Sequence, residues 1–306
     1  MFLTASSTMP LLSRIEIRKR GLELLHISTR SENQEELQFH KHYGSSSLVL
    51  AEMWYDMCHG EVLVPELTTK ETHRGLKMFF AANFFLWTYP KNSSLLASRF
   101  GLCEKYARGK HLWVWIKRID MLSKKVIKWD PRLDARDASF FAISIDGVDK
   151  QTRERKHPTL PYDTKNMSHK HHHGGSKWQI VLSVHSAKCV DIYGPCRGGM
   201  GDKEMLARSG VLRKLKHNKV AIVDRGYIDK KKSVKLSWPN PHDAKEVNNF
   251  KSRARLRHES FNGRMSFFDS LSQEFRHTEE QHGIVFKAVA TIVQYQMNNG
   301  SPLFEV

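Results

Sequence analysis

The sequence predicts an α/β domain built on a mixed five-stranded sheet flanked by helices, preceded by an all-helical region. Three observations lead there. Residues 140–145 and 220–223 are short, almost wholly apolar runs rich in β-branched side chains, the pattern of strands covered on both faces. The elements between and after them run strand, strand, strand, helix, strand. Upstream of residue 130, apolar side chains recur at helical rather than strand spacing.

The elements follow in order. Residues 1–43 are polar and mixed, with Arg18-Lys19-Arg20 inside. They are expected to be poorly ordered, or to hold one short helix over 31–40. Ser45-Ser-Ser47 then caps a periodic apolar stretch over 48–58 that stops at Gly60. Thr68-Thr-Lys-Glu71 has capping-box spacing and opens a helix reaching 88, stopped by Pro90. Its aromatic face (Phe79, Phe80, Phe84, Trp87) is a core face. Residues 93–108 give a short apolar helix, a turn at Gly101 and a second helix with Lys105 and Arg108 near its start. This resembles a helix-turn-helix, though an ordinary helical hairpin fits the same pattern. The second helix is expected to continue to Leu122. The domains are therefore a poorly ordered segment 1–43, a helical, helix-turn-helix-like region 44–130, and a sheet-bearing domain 139–306.

Past the polar boundary at 131–138, strands are expected over 140–145, 178–185 and 189–193, the last two as a hairpin. The loop 150–176 is rich in Lys and Arg and carries His169 and His171-His-His173. Consecutive histidines lack ligand spacing, so a solvated basic loop is the reading preferred over a soft-metal site. Residues 194–201 read as a flexible Gly-rich connection, and without a following Gly-Lys-Ser/Thr they resemble a phosphate loop only loosely. Asp202 caps a helix of about a dozen residues, the strand 220–223 follows, and 234–238 forms an edge strand. An amphipathic helix starts near 244, with Arg255, Glu259 and Asn262 on one face. A last helix spans 282–297.

Composition narrows the partners. The 306 residues carry 49 Lys and Arg against 32 Asp and Glu, a net charge of +17. So basic a chain implies a polyanion, nucleic acid or an anionic membrane surface. No apolar run approaches the ~20 residues of a membrane span. Cys58, Cys103, Cys189 and Cys196 form no CxxC and read as reduced thiols of an intracellular protein, with a Cys189–Cys196 pair as the lesser reading. The N-terminus lacks the features of a secretory signal, while organelle targeting stays open.

The chemistry rests on acids. Both buried-looking strands end on aspartate, Asp146 and Asp224, and Asp is a poor strand former and costly to bury without a cation or hydrogen bonds. In open α/β sheets, ligands bind outside the carboxyl ends of the strands. With Glu259 from the long helix, these form a candidate three-carboxylate site for Mg²⁺ or Mn²⁺, which favour hard oxygen ligands. Three carboxylates suit a two-metal phosphoryl-transfer centre. Arg225, Arg255 and Arg257 are candidate phosphate contacts.

Four blocks then resemble the PIF/Harbinger-like DDE superfamily of transposases and endonucleases: Ile145-Asp-Gly-Val-Asp149, Gly194-Pro with Gly198-Gly-Met-Gly-Asp202, Ile222-Val-Asp-Arg-Gly-Tyr227 and Arg257-His-Glu-Ser-Phe-Asn-Gly-Arg264. Phe275-Arg-His277 and Val289-Ala-Thr-Ile-Val-Gln294 extend the resemblance over about 139–304. It implies a ribonuclease-H-like fold and a DDE endonuclease domain over 139–306. The implied triad is Asp146, Asp224 and Glu259, holding two Mg²⁺ or Mn²⁺ ions and acting on DNA. It also implies cut-and-paste transposition in the nucleus, with a separate DNA-binding partner protein; a homodimer is a further expectation. The competing reading is a domesticated, catalytically silent transposase-derived DNA-binding protein.

Overall fold

The computed structural model describes residues 12–59, 69–134, 136, 140–153, 164–168, 170, 172–186, 188–216, 218–228 and 235–306, without the side chains of 69–73, 108 and 164. The chain divides into two compact units. One comprises 1–126, 267–270 and 284–299; the other comprises 127–266, 271–283 and 300–306.

The first unit is helical. It contains α1 (Arg14–Leu24), α2 (Glu32–Tyr43), α3 (Ser47–His59), α4 (Thr69–Thr88), α5 (Ser93–Phe100), α6 (Glu104–Arg108), α7 (Lys110–Met121) and α8 (Ser123–Val126). The expectation of a poorly ordered segment over 1–43 is corrected for the described part: 14–24 and 32–43 are two capped helices. Their order has a cause. Ile17, Leu22, Phe39 and Tyr43 are buried, and Tyr43 Oη donates to Gly21 O at 2.8 Å. Each large buried apolar side chain contributes about 1.5–3 kcal/mol. Arg18, 2% exposed, is met by Glu32, Glu35 and Glu36 at 2.6–3.4 Å. Polar composition therefore hid a folded element whose charges are spent on one another.

The helix expected to run through 105–122 is broken. Gly109 ends α6 and begins α7 in an extended conformation, where an added Cβ would lie 2.4 Å from Lys105 O. Only glycine fits that approach. Beyond it Leu112, Trp115, Ile116 and Ile119 bury one stripe of α7. The helix-turn-helix-like pattern is thus α5, a left-handed Gly101 cap, and a second helix of one turn.

The second unit holds the sheet: β1 (Phe141–Gln151), β2 (Gly175–Ser183), β3 (Cys189–Arg197), β4 (Val220–Ile222) and β5 (Leu236–Ser237). Their order is β3-β2-β1-β4-β5. β2 is antiparallel to β1 and β3, while β4 is parallel to β1 and β5. This is the mixed, ribonuclease-H-like order that the resemblance implies. α9 (Asp202–Ser209) and α10 (Val211–Lys214), split at the left-handed Gly210, stand in place of one longer helix. α11 (Lys245–Ser266) follows the sheet in this unit; α12 (Asp269–Ser272) and α13 (Glu279–Asn298) are divided between the units, with residues 284–298 of α13 in the helical one. Leu206, Val211 and Leu215 pack with Ile143, Ile145, Val181 and Val223. Ala254 and Phe250 of α11 pack with Val184, Ile222 and Phe141.

Two boundaries differ from expectation. β1 does not end at Asp146 but continues to Gln151, because antiparallel pairing with β2 persists from Ile143 to Gln151. Residues 194–197, expected as a flexible connection, are the end of β3, where Cys196 and Arg197 pair with Lys177 and Ser176. The start of the expected 234–238 strand, His169 and His171 lie outside the described residues, whereas His172 and His173 are exposed. All four cysteines are free. Among the described residues, no helix is long and apolar enough to cross a membrane.

Candidate functional site

The site begins with register. In the parallel β1–β4 ladder, Ser144 faces Ile222. Two residues further along each chain are Asp146 and Asp224. β4 has ended at Ile222, so Asp224 leaves the sheet beside a strand that continues. The two aspartates thus come side by side from neighbouring strands, which is what strands ending on acids suggested. Asp224 caps a short 3₁₀ turn (Arg225–Tyr227) and accepts from Arg225 N–H at 2.6 Å.

α11 is tied to β1 at two points. Buried His258 Nε2 and Ser144 Oγ share a hydrogen bond of 2.9 Å, and Lys150 Nζ donates to Ser266 Oγ at 2.8 Å. Burial pushes the His258 imidazole down to about 3, so it is neutral. These ties carry α11 along β1 and set which of its residues meets the aspartates. That residue is Arg255, whose guanidinium lies 3.2 Å from Asp224 Oδ1.

Glu259, one turn later, is exposed and makes no hydrogen bond or ion pair among the described residues. The expected convergence of three carboxylates is not present as arranged: among the described residues, no three His, Cys, Asp or Glu side chains group to hold a metal ion. The cause is local. Arg255 occupies the α11 position facing Asp224, and it supplies the neutralising charge there.

The acids still carry the electrostatic mark of crowding. Burial pushes the Asp146 carboxyl up to about 6, and the nearby charges of Asp202 and Asp224 add to the push. Gly147 N–H and Arg255 oppose it. Asp202 is the acid that sequence reading left as a helix cap. It is not the cap of α9, which is Gly201. Its Oδ1 lies 2.7 Å from Lys177 Nζ. Lys177 faces Asp149 in the β1–β2 ladder, so these groups border one edge of the sheet. The hard-oxygen chemistry of Asp146 and Asp224 fits a divalent cation, and the surplus charge on Asp146 is what a cation would relieve.

The basic candidates separate. Arg225 and Lys105 are exposed, and the Arg108 side chain is outside the described residues. Arg255 is 41% exposed and ion-paired. Arg257 is 3% exposed and turned inward. Its Nε donates to Phe304 O at 2.7 Å, and its Nη1 donates to Ser183 O and Val184 O at 3.2 and 3.1 Å. Three carbonyls use the guanidinium, so Arg257 as arranged holds the fold and offers no phosphate contact.

Sequence reading missed Lys177 and Tyr227 and undervalued Asp202. The usable signal was the glycine beside Asp146. An internal strand glycine often marks close approach by another group, and Gly147 does so here: Asp202 Oδ1 and Tyr227 Oη both crowd the space its side chain would fill.

No curated protein and no solved structure matches the chain. Residues 145–294 match the family model of the DDE superfamily endonucleases, and this stretch, which holds Asp146, Asp202, Asp224 and Glu259, is what the chain shares with that family.

Proposed function

We propose that the protein is a divalent-metal-dependent DNA endonuclease or transposase of the PIF/Harbinger-like branch, working in the nucleus. The observation that carries the reading is the β1–β4 register, which brings Asp146 and Asp224 together within the stretch similar to DDE superfamily endonucleases. Asp146 and Asp224 are the residues that would hold Mg²⁺ or Mn²⁺. Two such ions, when bound, would activate the attacking oxygen and stabilise the leaving oxygen of a phosphodiester.

The chain's own groups have separable tasks in this reading. Arg255 must leave Asp224 for that carboxylate to serve as a ligand, and a DNA phosphate is the natural acceptor for the freed guanidinium. Glu259, on the helix that His258 fixes to β1, is the third carboxylate after a side-chain turn toward Asp146. Arg225 and Lys105 are exposed cations suited to the phosphate backbone, as is Arg108 by its residue type. The net charge of +17 gives binding that weakens steeply with salt. A separate DNA-binding partner and self-association in a homodimer complete the proposal.

The test is nicking of supercoiled DNA with Mg²⁺ or Mn²⁺. Wild type is expected to cut, and Asp224→Ala and Asp146→Ala to lose about a thousandfold or more. Full activity in Asp224→Ala would overturn the reading. Tight DNA binding without cleavage under either metal would favour a catalytically silent descendant instead.

A further inference from the structure

The helical unit holds a pocket that the endonuclease reading does not use. A cavity of about 630 Å³ opens between α1, α4 and α5, within the size range of small-ligand sites. It lies outside the stretch matched by the endonuclease family.

Floor and rim differ in chemistry. Leu24, Leu76 and Phe100 line the cavity, and Leu76 and Phe100 are held in the core, so the floor is apolar and fixed. Arg20, Lys77 and Arg99, one from each helix, supply three cations. Arg20 and Arg99 are exposed. Lys77 Nζ donates to Gly101 O at 3.2 Å, which keeps the ammonium at this wall. Cations on three sides of an apolar floor fit a ligand with a flat apolar body and more than one negative charge.

Two further residues narrow that class. Glu23 is the acid among the described lining residues. It repels an acidic peptide, yet a carboxylate accepts hydrogen bonds from the amino group of a base. His26 holds a place that usually falls to glycine. It follows α1 in the left-handed conformation, φ 55°. Its N–H donates to Glu23 O and Ile27 N–H donates to Leu22 O, both at 3.0 Å. A side chain there is strained relative to glycine. What it sets near Glu23 is an aromatic ring able to stack on a base.

We infer that this pocket takes an unpaired nucleotide of a DNA strand. The base lies on Leu24, Leu76 and Phe100 with its edge toward Glu23, and the flanking phosphates meet Arg20, Lys77 and Arg99. A strand fits better than a free nucleotide, because cations from three helices can meet phosphates on both sides of one base. The inference goes beyond the endonuclease reading, since neither Asp146 nor Asp224 takes part. It gives the helical unit a preference for DNA ends and gaps, where bases are unpaired.

Fluorescence anisotropy of the full chain in chelator tests it, reading binding without cleavage. The probes are a blunt duplex, the same duplex with a short deoxyadenosine tail, and the same duplex with an abasic tail of equal length. Wild type is expected to bind the deoxyadenosine tail about tenfold more tightly than the blunt duplex, and to lose most of that gain with the abasic tail. Leu24→Asp is expected to remove the gain. Arg20→Gln with Arg99→Gln is expected to reduce it severalfold, with blunt-duplex affinity changed far less. His26→Gly is expected to raise Tm while reducing the gain. If Leu24→Asp does not fold, the exposed arginines decide. Equal gain from both tails, no gain in wild type, or a gain that survives in folded Leu24→Asp or in the double arginine variant overturns the inference. Binding of an acidic, leucine-rich peptide in place of the tail, lost in Leu24→Asp, overturns it in favour of a peptide site. Failure to nick DNA leaves this inference standing, and failure of the tail gain leaves the endonuclease reading standing.

Discussion

The two units treat some of their buried polar groups differently. In the helical unit three are satisfied, although Asn83 Oδ1 has no partner among the described residues and burial pushes Asp120 up to about 6. Arg18 has three glutamates, Asp56 has Lys125 at 2.5 Å and the Tyr295 hydroxyl at 2.6 Å, and Tyr43 has a backbone carbonyl. In the sheet unit, near Asp146, two are not. Asp146 is pushed up by burial and by like charge, and Tyr227 Oη has no partner among the described residues. Local rules are broken chiefly where a protein works. The raised carboxyl of Asp146 and the leftover Tyr227 hydroxyl accord with the proposed site.

The contrast can be broken by measurement. The largest expected effect on stability is Arg18→Ala, which takes the cation from Glu32 and Glu35 while Glu36 keeps Arg14 and Ser47. Their partial exposure softens the penalty, so the expected loss is about 2–3 kcal/mol by urea unfolding. A loss near zero would mean that the helical unit's charges are not the cause of its order.

Next is a pH effect in the sheet unit. The folded-state value for Asp146, about 6, stands above its ordinary 3.8. A raised carboxylate favours the folded state in its protonated form, so that stability is complete below about pH 4 and is lost as pH rises through about 6. Asp146→Asn removes the slope. Unfolding in chelator at pH 4 and pH 8 should show the variant gaining about 2 kcal/mol on wild type between those values. Parallel curves would show that Asp146 is not crowded.

The smallest effect is the sharpest, since one substitution is made twice. Tyr43→Phe breaks a buried hydrogen bond and should cost about 1 kcal/mol. Tyr227→Phe removes a hydroxyl that has no partner among the described residues and should stabilise by about 1 kcal/mol in the absence of metal. Equal signs would dissolve the distinction between the units.

Much of this was legible from residues. The apolar run 220–223, its Asp224 and the neighbouring strand with Asp146 announced the sheet and the acid pair, because strand patterning and parallel register are local properties. The helix 69–88 and its end before Pro90 were equally plain. What escaped depended on contacts distant in sequence. The Arg18–glutamate cluster reads as a polar segment until α1 and α2 meet. The Gly109 break looks like a helix continued, since periodicity alone does not reveal a carbonyl 2.4 Å from an absent Cβ. Arg255 and Arg257 are alike in composition, yet one reaches Asp224 and the other is buried among carbonyls. Helix phase decides that, and phase was fixed by His258 on Ser144.

The last six residues have a practical bearing on how DNA binding is assayed. Phe304 O is held by Arg257 and Glu305 O by Arg253 at 2.6 Å, while Arg264 donates to Ser301 O and to Pro302 O. Three guanidiniums of α11 thus donate to a short stretch of backbone. A chain shortened to residue 300 would free Arg253 and Arg264 of these carbonyls, while Arg257 would keep Ser183 O and Val184 O. Its retention on DNA or heparin would rise for a reason unrelated to recognition, and tags or truncations at that end would report an artefact as affinity.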